Sequence, residues 1–166
     1  MAKTKSRYLG AAGAALLAFS IGYTSSWEGR RYVAYQDVGG VWTICDGIIK
    51  GVKKGDKATD VQCDTMLLEE ILAHESRMLA CAPELLTVPD KTYVAINDWA
   101  FNVGTGAACK STLIREVKAG NVRGACNELS KWVYVKGKVI KGLMNRRVTG
   151  TVGRISERTL CLEGLK

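Results

Sequence analysis

The sequence contains few of the residues that usually build metal sites or multidomain chains. It has one histidine, His74, and its six cysteines form no Cys-x-x-Cys pair, which excludes the common zinc-binding spacings. Only two prolines are present, and neither a low-complexity linker nor an internal repeat divides the 166 residues. That length suits one domain with a substantial core. We therefore expect a single functional domain that needs neither a metal nor another cofactor.

Negative charge is absent before Glu28, and the apolar stretch in this region is short. Lys3, Lys5 and Arg7 precede residues 9–23, in which eight of fifteen residues are Gly or Ala. A positive segment followed by an apolar one is typical of export signals, and it places the following chain outside the membrane. This stretch is shorter than the ~20 residues that span a bilayer comfortably. It predicts a cleaved signal peptide, a permanent anchor, or a marginal anchor that can leave the bilayer.

The remaining composition indicates a basic protein in an oxidising compartment. The formal charge of +8 suits a polyanionic partner such as a cell-wall polymer, nucleic acid or anionic lipid, or simply a solvated basic surface. Export and disulfides argue against nucleic acid. An even number of widely spaced cysteines is typical of disulfides, with reduced buried thiols as the alternative. Six cysteines permit fifteen pairings, of which the simplest follow chain order: Cys45–Cys63, Cys81–Cys109 and Cys126–Cys161.

Periodicity and turn residues predict a small hairpin followed by helices. A short helix at 25–32 is expected to end near Glu28, before strands at 33–37 and 41–45 around Gly39-Gly40. A two-residue loop would place Asp37 and Thr43 on opposite faces, whereas an odd-numbered loop would pair them on one face. Residues 46–57 are expected to be a loop, with room for one short third strand.

A long helix is expected after the hairpin, from the Thr59-Asp60 cap to about Ala80. Its His74-Glu75 pair is interpreted as helix surface. Further helices are expected at 90–103, 107–119, 121–132, 143–148 and 152–163. The predicted fold class is α+β, with a small β-hairpin lobe and a larger helical lobe joined by the long helix. Ligand sites tend to lie in the cleft between such lobes.

Glu28, Asp37 and Thr43 are the strongest candidates for a catalytic site. Glycoside hydrolysis uses two carboxyl groups, one that protonates the leaving oxygen and one that manages the water. Taken singly, the three residues also suit a helix end, a turn and a strand. Their spacing of Glu, eight residues, Asp, five residues and Thr resembles the catalytic triad of phage-type lysozymes, glycoside hydrolase family 24.

This resemblance implies an inverting muramidase that hydrolyses the β-1,4 MurNAc–GlcNAc bonds of peptidoglycan. Glu28 would be the general acid, with a pKa raised by burial or by a neighbouring carboxylate. Asp37 would stay ionised and stabilise positive charge on the sugar, while the Thr43 hydroxyl would hold the water. A lytic transglycosylase and a non-enzymatic membrane-active or wall-binding protein remain alternatives.

Two later segments continue the resemblance. Residues 99–106 (WAFNVGTG) are similar to the family segment that faces the glycan, and residues 142–147 (GLMNRR) to its late Gly-Leu-x-x-Arg-Arg motif. Phe101, Asn102 and Tyr35 would then contact substrate, and Arg146 would support the site by ion pairing. Core packing and surface charge are the alternatives at these positions. Residues 46–50 and 148–154 depart from the family pattern.

The distance from the apolar stretch to Glu28 adds a constraint. Five residue steps separate Tyr23 from Glu28 and reach at most about 18 Å, so membrane insertion and activity are hard to combine. The pattern resembles the signal-anchor-release endolysins, which are exported as inactive, membrane-tethered forms. It implies a release segment at 1–24 and a lysozyme catalytic domain at 25–166. Because residues 1–23 contain no cysteine, it implies the branch in which the released segment refolds to complete the site.

The same resemblance implies where the chain acts. The N-terminus would be cytoplasmic and the catalytic domain periplasmic, held at the host inner membrane through residues 9–23. After release the chain would be soluble in the periplasm, with residues 9–23 retained. Peptidoglycan glycan strands are the expected substrate, and a monomer is expected.

Overall fold

The structure is a computed structural model that describes residues 6–37 and 39–166. Its helices are α1 (Gly10–Glu28), α2 (Asp60–Cys81), α3 (Asp90–Val103), α4 (Thr105–Cys109), α5 (Thr112–Lys118), α6 (Val122–Glu128), α7 (Lys141–Met144) and α8 (Glu157–Glu163). Its strands are β1 (Arg31–Gln36), β2 (Trp42–Cys45), β3 (Tyr134–Val135) and β4 (Lys138–Val139). Short 3-10 turns cover Pro83–Thr87 and Leu129–Lys131, and a π-helical turn covers Asn145–Thr149. A small hairpin beside a larger helical body confirms the predicted α+β class.

Helix α1 joins the weak apolar stretch to Glu28. The helix expected at 25–32 is wrong in its extent, because one continuous helix runs from Gly10 to Glu28 and ends where Gly29 adopts a left-handed φ of 72°. Its buried face recurs every three or four residues through Gly13, Leu16, Ser20, Tyr23 and Thr24. Because several residues on that face are small or polar, the hydropathy of the sequence does not show an amphipathic pattern. No helix in the described ranges combines the length and apolarity needed to cross a bilayer.

The segment before α1 folds back onto the helical body. The Tyr8 ring packs edge-on against Tyr93 at a centroid distance of 5.7 Å, and its hydroxyl accepts a hydrogen bond from Ser20 Oγ at 2.9 Å. The Arg7 backbone N–H donates to Glu75 Oε1 at 3.0 Å. Glu75 is 2% exposed and also accepts from the Tyr93 hydroxyl. Its interpretation as helix surface is therefore wrong, since its partners come from distant parts of the chain.

The first hairpin has an odd-numbered loop, as the one-face arrangement requires. Its register pairs Tyr35 with Thr43 and Gln36 with Trp42, and the Asp37 N–H donates to the Val41 carbonyl. Three residues therefore separate Asp37 from Val41, the last hydrogen-bonded pair of positions. Asp37 lies two residues after Tyr35, which is opposite Thr43, so Asp37 and Thr43 lie on the same face. Direct pairing of Asp37 with Thr43 was wrong, because Tyr35 occupies the position opposite Thr43. The third-strand region supplies only single bridging pairs, such as Ile44 with Ile48.

Helix α2 begins with the predicted cap and connects the hairpin to the helical body. The Thr59 hydroxyl accepts from the Gln62 N–H while the Gln62 side chain accepts from the Thr59 N–H. This reciprocal arrangement satisfies two backbone donors that a helix start leaves free. The predicted span of 60–80 agrees with the observed Asp60–Cys81. Apolar side chains from α2, α3, α5 and α8 then form the main core around Trp99.

The later helices are shorter than the sequence suggested. The expected helix at 107–119 is interrupted at Ser111, whose hydroxyl accepts from Ile114 N–H and starts α5. The helix expected at 121–132 ends at Glu128, and the one at 152–163 begins only at Glu157. The unpredicted β3–β4 hairpin lies between α6 and α7. Three disulfides have the pairing of the chain-order arrangement: Cys45–Cys63, Cys81–Cys109 and Cys126–Cys161.

Candidate active site

Glu28 is the last residue of α1 and is mostly buried. Its side chain is 18% exposed, and its Oε1 accepts a hydrogen bond from Arg146 Nη1 at 2.7 Å. Burial raises the pKa of the Glu28 carboxyl above its ordinary value, while the Arg146 guanidinium opposes that shift. Asp98 and Asp46 add to the rise because their negative charges disfavour a second one nearby. A carboxyl group that holds its proton more tightly is suited to general-acid chemistry.

Arg146 connects Glu28 to two fully buried carboxylates. Besides Glu28, its guanidinium donates to both Asp98 oxygens at 3.1 Å and to Glu157 Oε1 at 3.0 Å. Arg147 also donates to Glu157. The predicted ion-pairing partner of the site is thus in contact with Glu28. Burial raises the pKa of Glu157 well above its ordinary value, while Arg147 and Arg146 oppose that shift. Buried carboxyl groups of this kind need opposite charge and hydrogen bonds nearby.

The other two members of the proposed triad lie on the first hairpin and differ in their exposure. Asp37 is exposed, and its Oδ1 accepts from the backbone N–H groups of Gly39 and Val41 at 2.8 and 2.9 Å. In both bonds the Asp37 oxygen is the acceptor, as suits a carboxyl group. Thr43 is 3% exposed, and its hydroxyl donates to the Val41 carbonyl at 3.0 Å. That hydroxyl keeps its oxygen lone pairs available for a donor such as water.

The remaining predicted contacts divide between the hairpin and α3. Tyr35 lies opposite Thr43 on β1, with the Arg31 guanidinium 4.2 Å from its ring centroid. Phe101 is partly buried, and its ring centroid lies 4.8 Å from that of His74. Asn102 is exposed on α3 and accepts a hydrogen bond from Arg147 Nη2 at 2.5 Å. Tyr35 is therefore beside Thr43, whereas Asn102 is hydrogen-bonded to Arg147.

Sequence reasoning missed the carboxylates that surround the predicted residues. Asp98 lies one helical turn before Asn102 on α3, and Glu157 lies one turn before Cys161 on α8. Those i, i+4 relations were the available signal, because they place each carboxylate on the same helix face as a residue already singled out. Within the described ranges, no group of His, Cys, Asp or Glu is arranged to hold a metal ion.

Comparison with known proteins identifies the architecture that carries this site. The profile of the phage lysozyme family matches residues 25–149, which is 125 of the 166 residues. The chain belongs to the phage lysozyme family. This lysozyme is therefore a glycoside hydrolase, and the match covers Glu28, the hairpin and both arginines.

Individual relatives agree with the family assignment. The lysozyme is 36% identical over 139 residues to the SAR-endolysin of Enterobacteria phage PA-2, a match that covers 82% of this chain and 78% of that protein. Its structure is similar to the active form of the P1 phage endolysin Lyz, with a TM-score of 0.74, 26% identity and coverage of 92% and 94% of the two chains. The secreted inactive form of the same endolysin gives a TM-score of 0.53 at 27% identity, with coverage of 91% and 96%.

Proposed function

We propose that this lysozyme is an endolysin that hydrolyses the β-1,4 MurNAc–GlcNAc bonds of peptidoglycan and thereby lyses the host cell. The observation that carries this proposal is the partly buried Glu28, whose pKa is raised and whose carboxyl is oriented by Arg146. Family membership supplies the reaction class, and this carboxyl supplies the acid that the reaction needs. No metal or cofactor is required for it.

Glu28, Asp37 and Thr43 divide the chemistry in this proposal. Glu28 donates its proton to the glycosidic oxygen as the bond to the sugar breaks. The Asp37 carboxylate stabilises the oxocarbenium-like transition state, while the Thr43 hydroxyl accepts a hydrogen bond from the attacking water. Water attacks directly and gives its proton to the Asp37 carboxylate, and the anomeric configuration inverts. Tyr35, together with Phe101 and Asn102 on α3, contacts the glycan.

Replacement of the acid tests the proposed function. Glu28→Gln keeps the size of the side chain and its acceptor oxygen but removes the transferable proton. We expect loss of peptidoglycan hydrolysis by at least about 100-fold, the usual lower range of general-acid catalysis. Glu69→Gln is the matched control, because Glu69 is exposed on α2 and should leave the rate unchanged. Unchanged lysis by folded Glu28→Gln protein would reject the proposal and favour a non-enzymatic, membrane-active mode.

The products distinguish hydrolysis from the transglycosylase alternative. Hydrolysis releases fragments with reducing ends, whereas a transglycosylase releases anhydro-muropeptides that are lighter by one water. Mass spectrometry of the released fragments separates these outcomes. Proton NMR during early turnover reports the anomer that forms first, and retention of configuration would contradict the inverting step.

We further propose that residues 9–23 anchor the exported chain and later leave the bilayer. The relatives named SAR-endolysins favour this sequence of events. In the structure residues 10–23 belong to α1, which packs on the body, and the fold is more similar to the active than to the inactive P1 endolysin. The division into a release segment at 1–24 and a catalytic domain at 25–166 is therefore one of function and not of folding units, because α1 continues across it. Before release the body faces the periplasm at the inner membrane, and afterwards the soluble lysozyme is a monomer.

Intact mass and activity test the release proposal together. The periplasmic protein should retain residues 1–23, and loss of that mass would mean ordinary signal cleavage. The full chain embedded in vesicles should be inactive towards added peptidoglycan and should gain activity after extraction. Equal activity in both forms, with Glu28→Gln inactive in each, would contradict control by release while leaving the hydrolytic function intact.

A further inference from the structure

Asp46 is a fully buried carboxylate that the proposed chemistry does not use. It has no exposed surface, and its two oxygens have different partners. Oδ1 accepts from the Ser25 hydroxyl at 2.7 Å, and Oδ2 accepts from Arg30 Nε at 2.9 Å. A buried carboxylate is costly unless it is paired and hydrogen-bonded, so these two contacts define what Asp46 holds together.

Both partners flank Glu28 along the chain. Ser25 lies three residues before Glu28 in the last turn of α1, and Arg30 lies two residues after it, beyond the left-handed turn at Gly29. The two bonds therefore fix the chain on each side of the proposed acid. If only one side of the turn at Gly29 were held, the Glu28 side chain could change its direction.

The opposite end of this connection belongs to the hairpin. Asp46 directly follows β2, three residues after Thr43, and the preceding Cys45 is tied to Cys63 on α2. Asp46 thus joins the end of the strand that carries Thr43 to the end of the helix that carries Glu28. These two elements must keep one separation if the acid and the water are to act on one bond.

Arg30 has further partners that differ from Asp46 in burial. Its guanidinium also contacts Asp60 and Asp64 at the start of α2, at 2.5 and 2.8 Å. Those side chains are 69% and 52% exposed, and Arg30 itself is 13% exposed. Water can replace an exposed partner, but it cannot replace Asp46. The exposed pair therefore offers matched controls that contact the same guanidinium but, unlike Asp46, lie in solvent on α2.

We propose that Asp46 is a positioning residue that fixes Glu28 relative to Thr43 through its bonds to Ser25 and Arg30. It touches neither the substrate nor the transferred proton. This inference rests on the proposed function, in which Glu28 is the acid and Thr43 holds the water. It assigns a role to the first residue of the segment that departs from the family pattern.

Turnover by purified variants tests the positioning role. Asp46→Ala removes both bonds, Ser25→Ala removes only the one to α1, and Asp64→Ala removes an exposed partner of Arg30. We expect kcat to fall about 100-fold in Asp46→Ala and about 10-fold in Ser25→Ala, because small displacements of catalytic groups cost this much. KM should stay within about twofold, and the Ser25/Asp46 double variant should match Asp46→Ala because the residues act as one unit. Asp64→Ala should match the unmodified chain.

The pH profile separates positioning by Asp46 from its charge. Among the charged groups near Glu28, Arg146 lowers its pKa, whereas Asp98 on α3 and Asp46 after β2 raise it. Asp46→Asn removes one negative charge, so the pKa of Glu28 should fall and the alkaline limb of kcat should move to lower pH. Ser25→Ala keeps that charge and should lower kcat without moving the limb. A purely structural role would move neither kcat nor the limb in folded protein.

Each result has a defined meaning. If folded Asp46→Ala keeps the original kcat and only unfolds more easily, the inference is overturned. If Asp46→Ala does not fold, Ser25→Ala decides, since an unchanged kcat there overturns the inference as well. Glu28→Gln in the same assay guards the premise: full activity in that variant would mean that the proposed function has failed, independently of Asp46.

Discussion

Arg146 contacts Glu28, Asp98 and Glu157 at once, and the charge balance at Glu28 depends on that sharing. Burial favours the protonated acid, and the nearby guanidinium favours the ionised form. Because burial has the larger effect, the pKa of Glu28 is raised. The residue can then hold its proton where an exposed glutamate would have lost it.

The raised pKa of Glu28 predicts a specific pH dependence of stability. The folded state binds the proton more tightly than the unfolded state, so this stabilisation is fully present below the ordinary value of 4.5. It is lost as pH rises through the folded pKa. In urea unfolding across that range, the original chain should lose stability relative to Glu28→Gln as pH increases. A difference between the two profiles that grows in the opposite direction would contradict the raised pKa.

Removal of Arg146 should change stability and activity in separate ways. Arg146→Gln leaves the buried carboxylates without their shared cation, and we expect the free energy of unfolding to fall by about 3–5 kcal/mol. The pKa of Glu28 should rise further, so the alkaline limb of activity should move to higher pH. Arg123→Gln, at an exposed position on α6, is the control. A limb that moves to lower pH would show that Arg146 does not stabilise ionised Glu28.

The sequence revealed the residues of the site that belong to contiguous motifs. Glu28 and Arg146 are recognisable because their neighbours have diagnostic spacing, and the structure brings them into contact. Asp98 and Asp46 were not predicted, because each obtains its role from a partner far away in the chain. Glu75 was misjudged for the same reason, since its partners are Tyr93 and the backbone of Arg7.

At the scale of elements, α1 contains two glycines that provide a matched test of its packing. A methyl group at Gly13 would lie 2.4 Å from the Tyr8 carbonyl carbon, whereas at Gly22 nothing lies within 4 Å. Gly22→Ala should therefore stabilise the folded chain by about 0.5–1 kcal/mol through helix propensity. Gly13→Ala should destabilise it, because Tyr8 must move away from α1. Thermal unfolding of both variants measures this, and equal shifts would mean that Tyr8 does not pack on α1.

The boundaries of the elements show which local signals were sufficient. The Thr59 cap fixed the start of α2, because its chemistry involves only neighbouring residues. The odd-numbered hairpin loop was predictable from the requirement that Asp37 and Thr43 share a face. The start of α5 at Ser111 was missed although Ser is a favourable cap. The beginning of α1 could not be found by periodicity, since Gly and Ala pack there without a strong apolar contrast.

At the scale of the whole molecule, the disulfides divide the chain into three closed loops. Their sequence separations are 18, 28 and 35 residues. Replacing any one of the three cysteine pairs by alanine should lower the free energy of unfolding by ~3–4 kcal/mol, because a closed loop restricts the unfolded chain. The loss should grow with the length of the loop. Cys126→Ala/Cys161→Ala should have the largest effect. Urea unfolding checks the order, and a smaller loss there than for Cys45→Ala/Cys63→Ala would contradict the loop-entropy account.

The arrangement of the whole fold was predictable only in outline. A hairpin, a long helix and a helical lobe follow from local patterns, and the disulfide pairs join neighbours in chain order. The attachment of the N-terminal segment could not be predicted from the sequence. The Tyr23 hydroxyl donates a hydrogen bond to the Ile155 carbonyl, and Arg154 donates one to the Ser26 carbonyl, each across more than a hundred residues. Contacts of that separation leave no periodic trace in the sequence.

Because α1 is one helix, its rotational phase links the apolar segment to the acid. Each inserted or deleted residue between Gly13 and Glu28 would turn one end relative to the other by about 100° and shift it by about 1.5 Å. A change after Ser20 would turn Glu28 away from Arg146, and a change before Ser20 would break the hydrogen bond between the Ser20 and Tyr8 hydroxyls. In its proposed role as an anchor, the segment could be one residue longer or shorter, but the contact between Glu28 and Arg146 could not be kept. The length of α1 is therefore constrained by the folded surroundings of Glu28 more tightly than by the proposed anchoring.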